Sequence, residues 1–368
     1  MAAQASSRDP DARHEWVFAA INLGAVLLFA GFVLADPDIS AGEFLRLASL
    51  YLGTALLILA SALICFAGVV LVRGGRASGW RAGPLGLVRA ALIGRWQDDR
   101  LASLLWPLAL FALLLPSFNA FKQRILPDAG FVHDAALASI DRAIFGVDPG
   151  LWLHQAIGSP FATAFFDAIY HSWFVPTTLG IAVVGLTAGV RTRAQYLTAY
   201  AGVWIVLGAL FAYLLPAAGP AFYTVLVDPG GAEPFTRVTE QLAATGSGGG
   251  VLTSTHNQAY LLANLDSPAL VVGGGISAIP SVHNAIAVLF ALASFRAHWL
   301  CGVAMSLFAL LIWVGSVYLN WHYAVDGLLG AAGAIGLWYG SARLVDRIIA
   351  ARTAGTRPVR LAPAVSGS

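Results

Sequence analysis

Charge is scarce in this sequence. Only 11% of its 368 residues are charged, whereas 58% are hydrophobic, and this balance excludes an ordinary soluble globular domain. Cysteine is rarer still: Cys65 and Cys301 both fall inside apolar segments, so we expect no disulfide framework. The sequence also lacks CxxC and HExxH motifs and acidic clusters, and we therefore predict neither a metal site nor a cofactor.

Long apolar segments are what the sequence has instead. A helix of about 20 apolar residues crosses the roughly 30 Å of hydrocarbon in a bilayer, and segments of this kind predict an all-α, polytopic membrane protein with about eight spans. The predicted spans lie near residues 16–35, 49–72, 101–119, 164–187, 196–215, 279–295, 299–319 and 325–345.

Basic residues are distributed unevenly between these spans. With the N-terminus inside, the inner segments hold sixteen of the 21 basic residues and the outer segments hold five, so both termini are expected in the cytoplasm.

The preference for Arg over Lys, with much Ala and Gly, is typical of a bacterium of high genomic GC content. We therefore expect the bacterial inner membrane, with the outer face towards the periplasm or cell exterior, and we find no nucleic-acid-binding stripe. The long, apolar outer loops 120–163 and 216–278 are expected to lie along the membrane surface.

The strongest polar signal is "NWHYAVDGLLG", in which His322 and Asp326 stand four residues apart. On a helix this spacing places both side chains on one face. A carboxylate that accepts the imidazole N–H leaves the other ring nitrogen free to attack an electrophile. The alternative is an interfacial histidine beside an acidic residue that favours a helix N-terminus.

A second signal is "GGGISAIPSVHNAIAVLF", which places Ser281, Val282 and His283 at the predicted start of the sixth span. Pro280 suits the first turn of a helix, and the backbone N–H groups there form an anion site. Gly275 and its neighbours allow close backbone approach to a phosphate. The alternative is a flexible Gly-rich loop with an interfacial histidine.

Two further positions are unusual for their surroundings. Lys122 is the only lysine of the chain and lies at the outer boundary of the third span, where it can bind an anion or simply snorkel to the surface. Asp167 and His171 form another i, i+4 pair inside the fourth span, where ionisable groups are costly. We expect this pair, together with Asp266, to line an acceptor subsite; the alternative is a mutually satisfied buried pair.

These motifs resemble the phosphatidic acid phosphatase type 2 superfamily of lipid phosphatases and phosphotransferases, whose pattern is K-x6-R-P, then P-S-G-H, then S-R-x5-H-x3-D. Here the first motif reads "KQRILPDAG", with Ala129 and Gly130 in place of Arg and Pro. The middle motif reads "PSVH", and the last reads "GSVYLNWHYAVD", with Gly315 and Ser316 in place of Ser and Arg. The missing arginines look more like the inositol phosphorylceramide synthase branch, with its P-S-L-H and H-H-Y-x-V-D, as do "LASIDRAIFGVDP" and "LLPAAGPAFY".

The resemblance covers roughly residues 105–345 and implies a core of six helices. It also implies that His322 is a nucleophile forming a phosphohistidine, that Asp326 orients it, and that His283 protonates the leaving oxygen. The residues that would bind the phosphate are Lys122, Ser281, Val282 and Gly275, with Arg124, Arg142 or Arg237 replacing the missing arginines.

The sequence therefore predicts an integral membrane lipid phosphatase or phosphotransferase, most like an inositolphosphotransferase. It would act without a metal at the outer leaflet on a phospholipid or lipid-carrier phosphate, and water, a polyol or a lipid alcohol would be the acceptor. The alternative is a non-catalytic lipid-binding or transport protein that kept the fold, although we find no transporter-like inverted repeat. The expected organisation is an N-terminal tail, two extra spans and an Arg-rich cytoplasmic loop over 1–100, the core over 101–347, and a disordered cytoplasmic tail over 348–368.

Overall fold

A computed structural model describes residues 14–78, 83–97, 102–228, 230, 233–247 and 252–355 of the chain. Within these ranges every regular element is a helix, which confirms the prediction of an all-α protein. The helices are α1 (Glu15–Leu34), α2 (Ala41–Ser78), α3 (Gly83–Gln97), α4 (Ala102–Lys122), α5 (Ile125–Ala129), α6 (Asp134–Phe145), α7 (Pro149–Ile157), α8 (Pro160–His171), α9 (Phe174–Thr187), α10 (Val190–Gly202), α11 (Ala212–Leu214), α12 (Tyr223–Leu226), α13 (Glu233–Ser247), α14 (Thr253–Ala263), α15 (Val282–Phe295), α16 (Trp299–Tyr318) and α17 (Ala324–Gly355).

Seven helical segments among the described residues are long and apolar enough to cross a membrane. They are Glu15–Leu34, Ala41–Gly74, Ser103–Ala129, Pro160–Thr187, Val190–Leu214, Trp299–Tyr318 and Ala324–Thr353. They match seven of the eight predicted spans, and the protein is a polytopic helical membrane protein.

The sixth predicted span is shorter than the sequence suggests. α15 has 14 residues, which at 1.5 Å per residue give roughly 21 Å, less than the hydrocarbon thickness. The residues ahead of it are buried, with Ile276 and Ile279 each 2% exposed. The chain therefore enters the bundle as a loop, and α15 begins inside the bundle rather than at its surface.

α15 is the central helix of the bundle. It packs against α9, α10, α16 and α17, and Ala285 and Ile286 in its first turns are fully buried. α10 continues as a π-helical stretch, Val203–Phe211, that also contacts α15. α1 and α2 pack on α4 at the edge of the bundle and expose leucines such as Leu28 and Leu57, as expected for faces that contact lipid.

One end of the bundle, where α4 ends and α15 and α17 begin, is covered by the short helices α5–α7 and α12–α14. We call it the site end, and we call these helices the loop-helix layer. α13 packs on α7 and α14 on α8, and Leu137, Phe235 and Tyr323 belong to a small core that joins the layer to the bundle. Among the described residues, the two long loops of the sequence thus contain several packed helices.

The described structure differs from the predicted boundaries in two places. The segment predicted as an Arg-rich loop contains α3, which packs on α2. The tail predicted to be disordered from residue 348 begins as helix, because Ile348 and Ile349 pack with Phe18 and Val190 and carry α17 on to Gly355. Residues 1–13 and 356–368 lie outside the described residues.

Candidate active site

A cavity at the site end brings four of the predicted site residues together. It has a volume of about 100 Å³, and Lys122, His283 and His322 all line it. Val282 also lines it. At about 30 Å³ per water molecule, a cavity of this volume holds roughly three water-sized groups, which is enough for a phosphoryl group.

His322 lies in the turn before α17, and Asp326 lies in the first turn of that helix. The pair therefore does not share a helical face, as the i, i+4 spacing predicts, because α17 begins only at Ala324. Instead, Nδ1 of His322 and Oδ2 of Asp326 face each other across the turn at 3.5 Å, longer than a hydrogen bond. Asp326 is fully buried and accepts the N–H of Tyr323 over 3.1 Å. A carboxylate facing Nδ1 leaves Nε2 of His322 as the nitrogen for chemistry.

A buried carboxylate on α6 holds the start of α17 in place. Asp141 accepts the N–H of Ala324 over 2.7 Å and that of Val325 over 2.9 Å, so it caps the helix directly after His322. Burial raises the pKa of the Asp141 carboxyl, and these two hydrogen bonds act in the opposite direction. The partners of Asp141 lie far away along the chain, so its role is not evident from the motifs around it.

Asp134, two turns earlier on α6, also accepts hydrogen bonds from distant parts of the chain. Its carboxylate accepts the N–H groups of Ala218 and Gly219 over 2.9 and 2.8 Å and the hydroxyl of Tyr323 over 2.9 Å. Asp134 and Asp141 are seven residues apart, so both lie on one helical face. Two acidic residues at that spacing in an otherwise apolar loop are the signal that could have identified them.

His283 lies in the first turn of α15, which is anchored through Ser281. The hydroxyl of Ser281 accepts the N–H of Asn284 over 3.4 Å, and the N–H of Ser281 donates to the carbonyl of Asp326 over 3.1 Å. The ring centroids of His283 and His322 are 6.0 Å apart, so the two imidazoles border the same small volume. Ser281 itself is fully buried and does not line the cavity.

Lys122 is the last residue of α4 and makes no salt bridge among the described residues. Gly275 passes against its backbone: the φ angle there is +79°, and an added Cβ would lie 2.7 Å from the carbonyl oxygen of Lys122. Asn119 and Gln123 hold the same loop by accepting the N–H groups of Gly273 and Val271 over 2.6 and 3.0 Å. Gly275 therefore permits close approach of loop and helix, but it does not line the cavity.

Three arginines at the site end form salt bridges with acidic residues and do not line the cavity. Arg124 does not reach the cavity, because three carboxylates hold its guanidinium at the surface. All three arginines considered as replacements for the missing motif arginines pair with acids: Arg124 with Asp36 at 2.9 Å, Asp38 at 2.8 Å and Asp128 at 3.0 Å, Arg142 with Asp148 at 3.5 Å, and Arg237 with Glu233. Of the lysine and arginine side chains that the structure describes, Lys122 is thus the one that borders the cavity.

Asp167 and His171 do not line the cavity either. The Asp167 carboxylate accepts the N–H groups of Thr253 and Ser254, both over 2.9 Å, and so caps α14. Nδ1 of His171 is 2.8 Å from the carbonyl oxygen of Asp167, and its Nε2 is 3.2 Å from Nδ2 of Asn257. The pair fixes α8 to α14, which agrees with the alternative of a mutually satisfied buried pair.

The part of the sequence that carries most of this site matches a known family. Among the described residues no three His, Cys, Asp or Glu side chains are grouped as metal ligands. Neither the curated proteins nor the solved structures give a match to the chain. Residues 135–340, more than half of the chain and including His283, His322 and Asp326, match the family model described as the PAP2 superfamily. The protein therefore belongs to the PAP2 superfamily.

Proposed function

We propose that this protein is an integral membrane lipid phosphotransferase or phosphatase that works through a phosphohistidine intermediate, most like an inositolphosphotransferase. The observation that carries the proposal is the single cavity lined by Lys122, His283 and His322, with Asp326 behind His322. Membership of the PAP2 superfamily supports it, since that superfamily consists generally of phosphatases and phosphotransferases.

In the first step, Nε2 of His322 attacks the phosphorus of a lipid phosphate ester. The N–P bond forms as the P–O bond to the leaving group breaks, and His283 gives its proton to the leaving oxygen. Asp326, facing Nδ1, stabilises the positive charge that develops on the imidazole. Lys122 supplies positive charge to the phosphoryl oxygens.

In the second step, water or an alcohol attacks the phosphohistidine on His322. The new P–O bond forms as the N–P bond breaks, and His283 takes the proton of the attacking oxygen. Water makes the protein a phosphatase, and a polyol or lipid alcohol makes it a transferase. No step requires a metal ion, so we expect activity to persist in EDTA.

The proposed topology puts the site end at the outer leaflet of a bacterial inner membrane, with both termini in the cytoplasm. The opposite end carries Arg191, Arg193, Arg296, Arg343 and Arg347, the excess expected of a cytoplasmic face. A phospholipid or lipid-carrier phosphate would enter the site from the bilayer.

The experiment that tests the proposal is phosphate release by the purified protein in detergent from a panel of lipid phosphates that includes phosphatidylinositol. It is run with and without a polyol acceptor, with and without EDTA, and beside His322→Ala. When it depends on His322, free phosphate from a monoester, or inositol phosphate with diacylglycerol from phosphatidylinositol, identifies hydrolysis, and a new phosphorylated acceptor identifies a transferase. Lipid binding without either product, in a folded protein, would favour a non-catalytic role and contradict the proposal.

A further inference from the structure

We infer that α2 and α4 hold one wall of the cavity in place, and that four of their side chains are positioning residues for phosphate binding. The four are Arg46 and Tyr51 on α2 and Asn119 and Gln123 on α4. The wall contains the loop of residues 270–277, which we call the cavity loop. Phosphate occupies the cavity under the proposed function, on which this assignment rests. All four residues lie outside the residues 135–340 that match the family model.

The cavity loop leads directly into the part of the chain that carries His283. Ile276 and Ser277 of the loop line the cavity, and Val282 and His283 line it just beyond. Residues 264–281 form no helix or strand, so the backbone N–H and C=O groups of the loop need partners from other parts of the molecule. Those partners decide where this wall of the cavity lies.

Two amide side chains of α4 supply several of the partners. Oδ1 of Asn119 accepts the N–H of Gly273 over 2.6 Å, and Nδ2 of Asn119 donates to the carbonyl of Val271 over 2.9 Å. Gln123 accepts the N–H of Val271 over 3.0 Å and donates to its carbonyl over 3.2 Å. Asn119 is only 3% exposed, so water cannot readily replace these bonds when they are lost.

α2 holds the first residue of the cavity loop. Arg46 donates to the carbonyl of Leu270, and Glu43 accepts the N–H of Leu270 over 3.4 Å. Tyr51 acts through Asn119, because its hydroxyl donates to Oδ1 of Asn119 over 2.9 Å. The Leu270 side chain is buried in a small core with residues of α1, α2, α4 and the turn between α1 and α2, namely Val33, Ile39, Phe44, Leu47 and Ala120.

These contacts bring the cavity loop against the end of α4, beside Lys122. At Gly275, where φ is +79°, an added Cβ would lie 2.7 Å from the carbonyl oxygen of Lys122, so the two backbones touch. Beyond the loop, the N–H of Ala278 donates to the carbonyl of Ala217 over 2.9 Å. The loop thus connects α4, which carries Lys122, with α15, which carries His283. Its anchors therefore set the width of the cavity on the side of Lys122.

Positioning of this wall has a different kinetic signature from a contribution to folding alone. Loss of the anchors leaves His283 and His322 in place, since the carbonyl of Asp326 accepts the N–H of Ser281 at the start of α15. Phosphate then binds less tightly, so KM rises while kcat changes little. A variant that only destabilises the fold lowers the fraction of active protein, so the apparent kcat falls at an unchanged KM.

Asn119→Ala removes three hydrogen bonds, those to Tyr51, Val271 and Gly273. In the full-length protein it should raise the Kd for inorganic phosphate, and the KM of the best substrate in the lipid panel, roughly five- to thirtyfold. Arg46→Met removes one bond and should raise both values roughly two- to tenfold. Arg46→Met and Tyr51→Phe keep the test decisive where Asn119→Ala does not fold.

The matched control is Asn22→Ala on α1. Asn22 is also 3% exposed and also joins two helices, because it donates to the hydroxyl of Thr198 over 3.1 Å, but it does not line the cavity. Its Kd for phosphate and its KM should stay near the wild-type values. Equal values in the anchor variants and in Asn22→Ala, each checked for a single monodisperse peak, would overturn the assignment.

Hydrogen exchange tests the anchors without turnover. Backbone amides of residues 268–280 should exchange faster in Asn119→Ala and Arg46→Met than in the wild type, and no faster in Asn22→Ala. Unchanged exchange in the two anchor variants would also overturn the assignment.

The combination of binding and turnover separates the two proposals. Phosphate binding that weakens in the anchor variants, in a protein without turnover, would contradict the proposed function and leave the role of the anchors standing. Turnover with an unchanged KM in Asn119→Ala and Arg46→Met would contradict the role of the anchors alone. A wild type with neither phosphate binding nor turnover would contradict both.

Discussion

Buried carboxylates make different contacts at the two ends of the bundle. At the opposite end, Glu15 pairs with Arg193 over 2.5 and 2.9 Å and accepts the indole N–H of Trp106. At the site end, Asp141 and Asp167 each accept two backbone N–H groups at the start of a helix. One end is held by an ion pair, and the other by carboxylates that fix the backbone.

The difference explains how a cation remains available at the site. Because the buried acids near the cavity are occupied by backbone N–H groups, Lys122 lies there without a carboxylate partner among the described residues. Arg124, only two residues on, is neutralised by surface aspartates. A phosphate can therefore find an unpaired positive charge at Lys122 and not at Arg124.

The largest expected effect on stability is at the opposite end. Glu15→Ala leaves Arg193, 6% exposed, without its charge partner, and removing one member of a buried pair costs about 3–5 kcal/mol of unfolding free energy. The control is Asp346→Asn, which breaks the exposed pair of Arg191 and Asp346 at 2.7 Å and should cost less than about 1 kcal/mol. Unfolding in detergent measures both, and equal losses would contradict the distinction.

Lys122→Met should weaken substrate binding at the site end. Loss of a charge-assisted contact to phosphate corresponds to a KM roughly ten- to hundredfold higher. Arg124→Met removes a neighbouring cation that is already paired, so its KM should stay near the wild-type value. Steady-state kinetics on a lipid phosphate measure both variants, and a larger effect at Arg124 would show that the surface cluster opens to bind substrate.

Asp141→Asn tests whether the Asp141 carboxylate, which accepts the N–H groups of Ala324 and Val325, holds the turn that carries His322. An amide offers one oxygen, and its NH2 faces an N–H that it cannot accept, so the turn that carries His322 loosens. We expect a loss of about 1–2 kcal/mol of transition-state stabilisation, seen as a kcat lowered roughly five- to thirtyfold with little change in KM. Asp148→Asn is the control, because Asp148 makes no capping bond to α7. An unchanged kcat would rule out a positioning role for Asp141.

Protonation of His154 at low pH should have a smaller effect on the unfolding free energy. His154 donates from Nε2 to the carbonyl of Tyr318 over 2.8 Å, and burial lowers the pKa of this histidine in spite of that bond. The unfolded chain therefore binds the proton first, and unfolding free energy falls as pH drops below about 6.5. The Tm should fall less in His154→Gln than in the wild type between about pH 7.5 and pH 5.5, and an equal fall would contradict the direction of the shift.

The sequence predicts most of the fold because apolar length is a local property. The failure at the sixth span has a physical reason: the buried loop before α15 is as apolar as a helix, so hydropathy alone cannot tell where the helix begins. The side-chain periodicity likewise assigns His322 to a helix, although the structure leaves it in the turn.

The sequence likewise predicts only part of the candidate site. Because successive spans cross the membrane in alternating directions, the sequence predicts that Lys122, His283 and His322 reach one end of the bundle. The structure places all three around one cavity. Their roles stay predictions. The spacing of Asp134 and Asp141 indicates that they share a helical face, but the partners of Asp141, like the capture of Arg124 by Asp36, depend on contacts between distant segments that no local pattern encodes.

Trapping of the phosphorylated enzyme shows whether His322 carries the phosphoryl group. The wild type and His322→Ala are incubated with a lipid phosphate, quenched in base, digested and analysed by mass spectrometry. We predict an acid-labile, base-stable phosphohistidine at His322 in the wild type, with no phosphorylated peptide in the variant. A phosphoryl group on another residue, or turnover that continues in His322→Ala, would contradict the account.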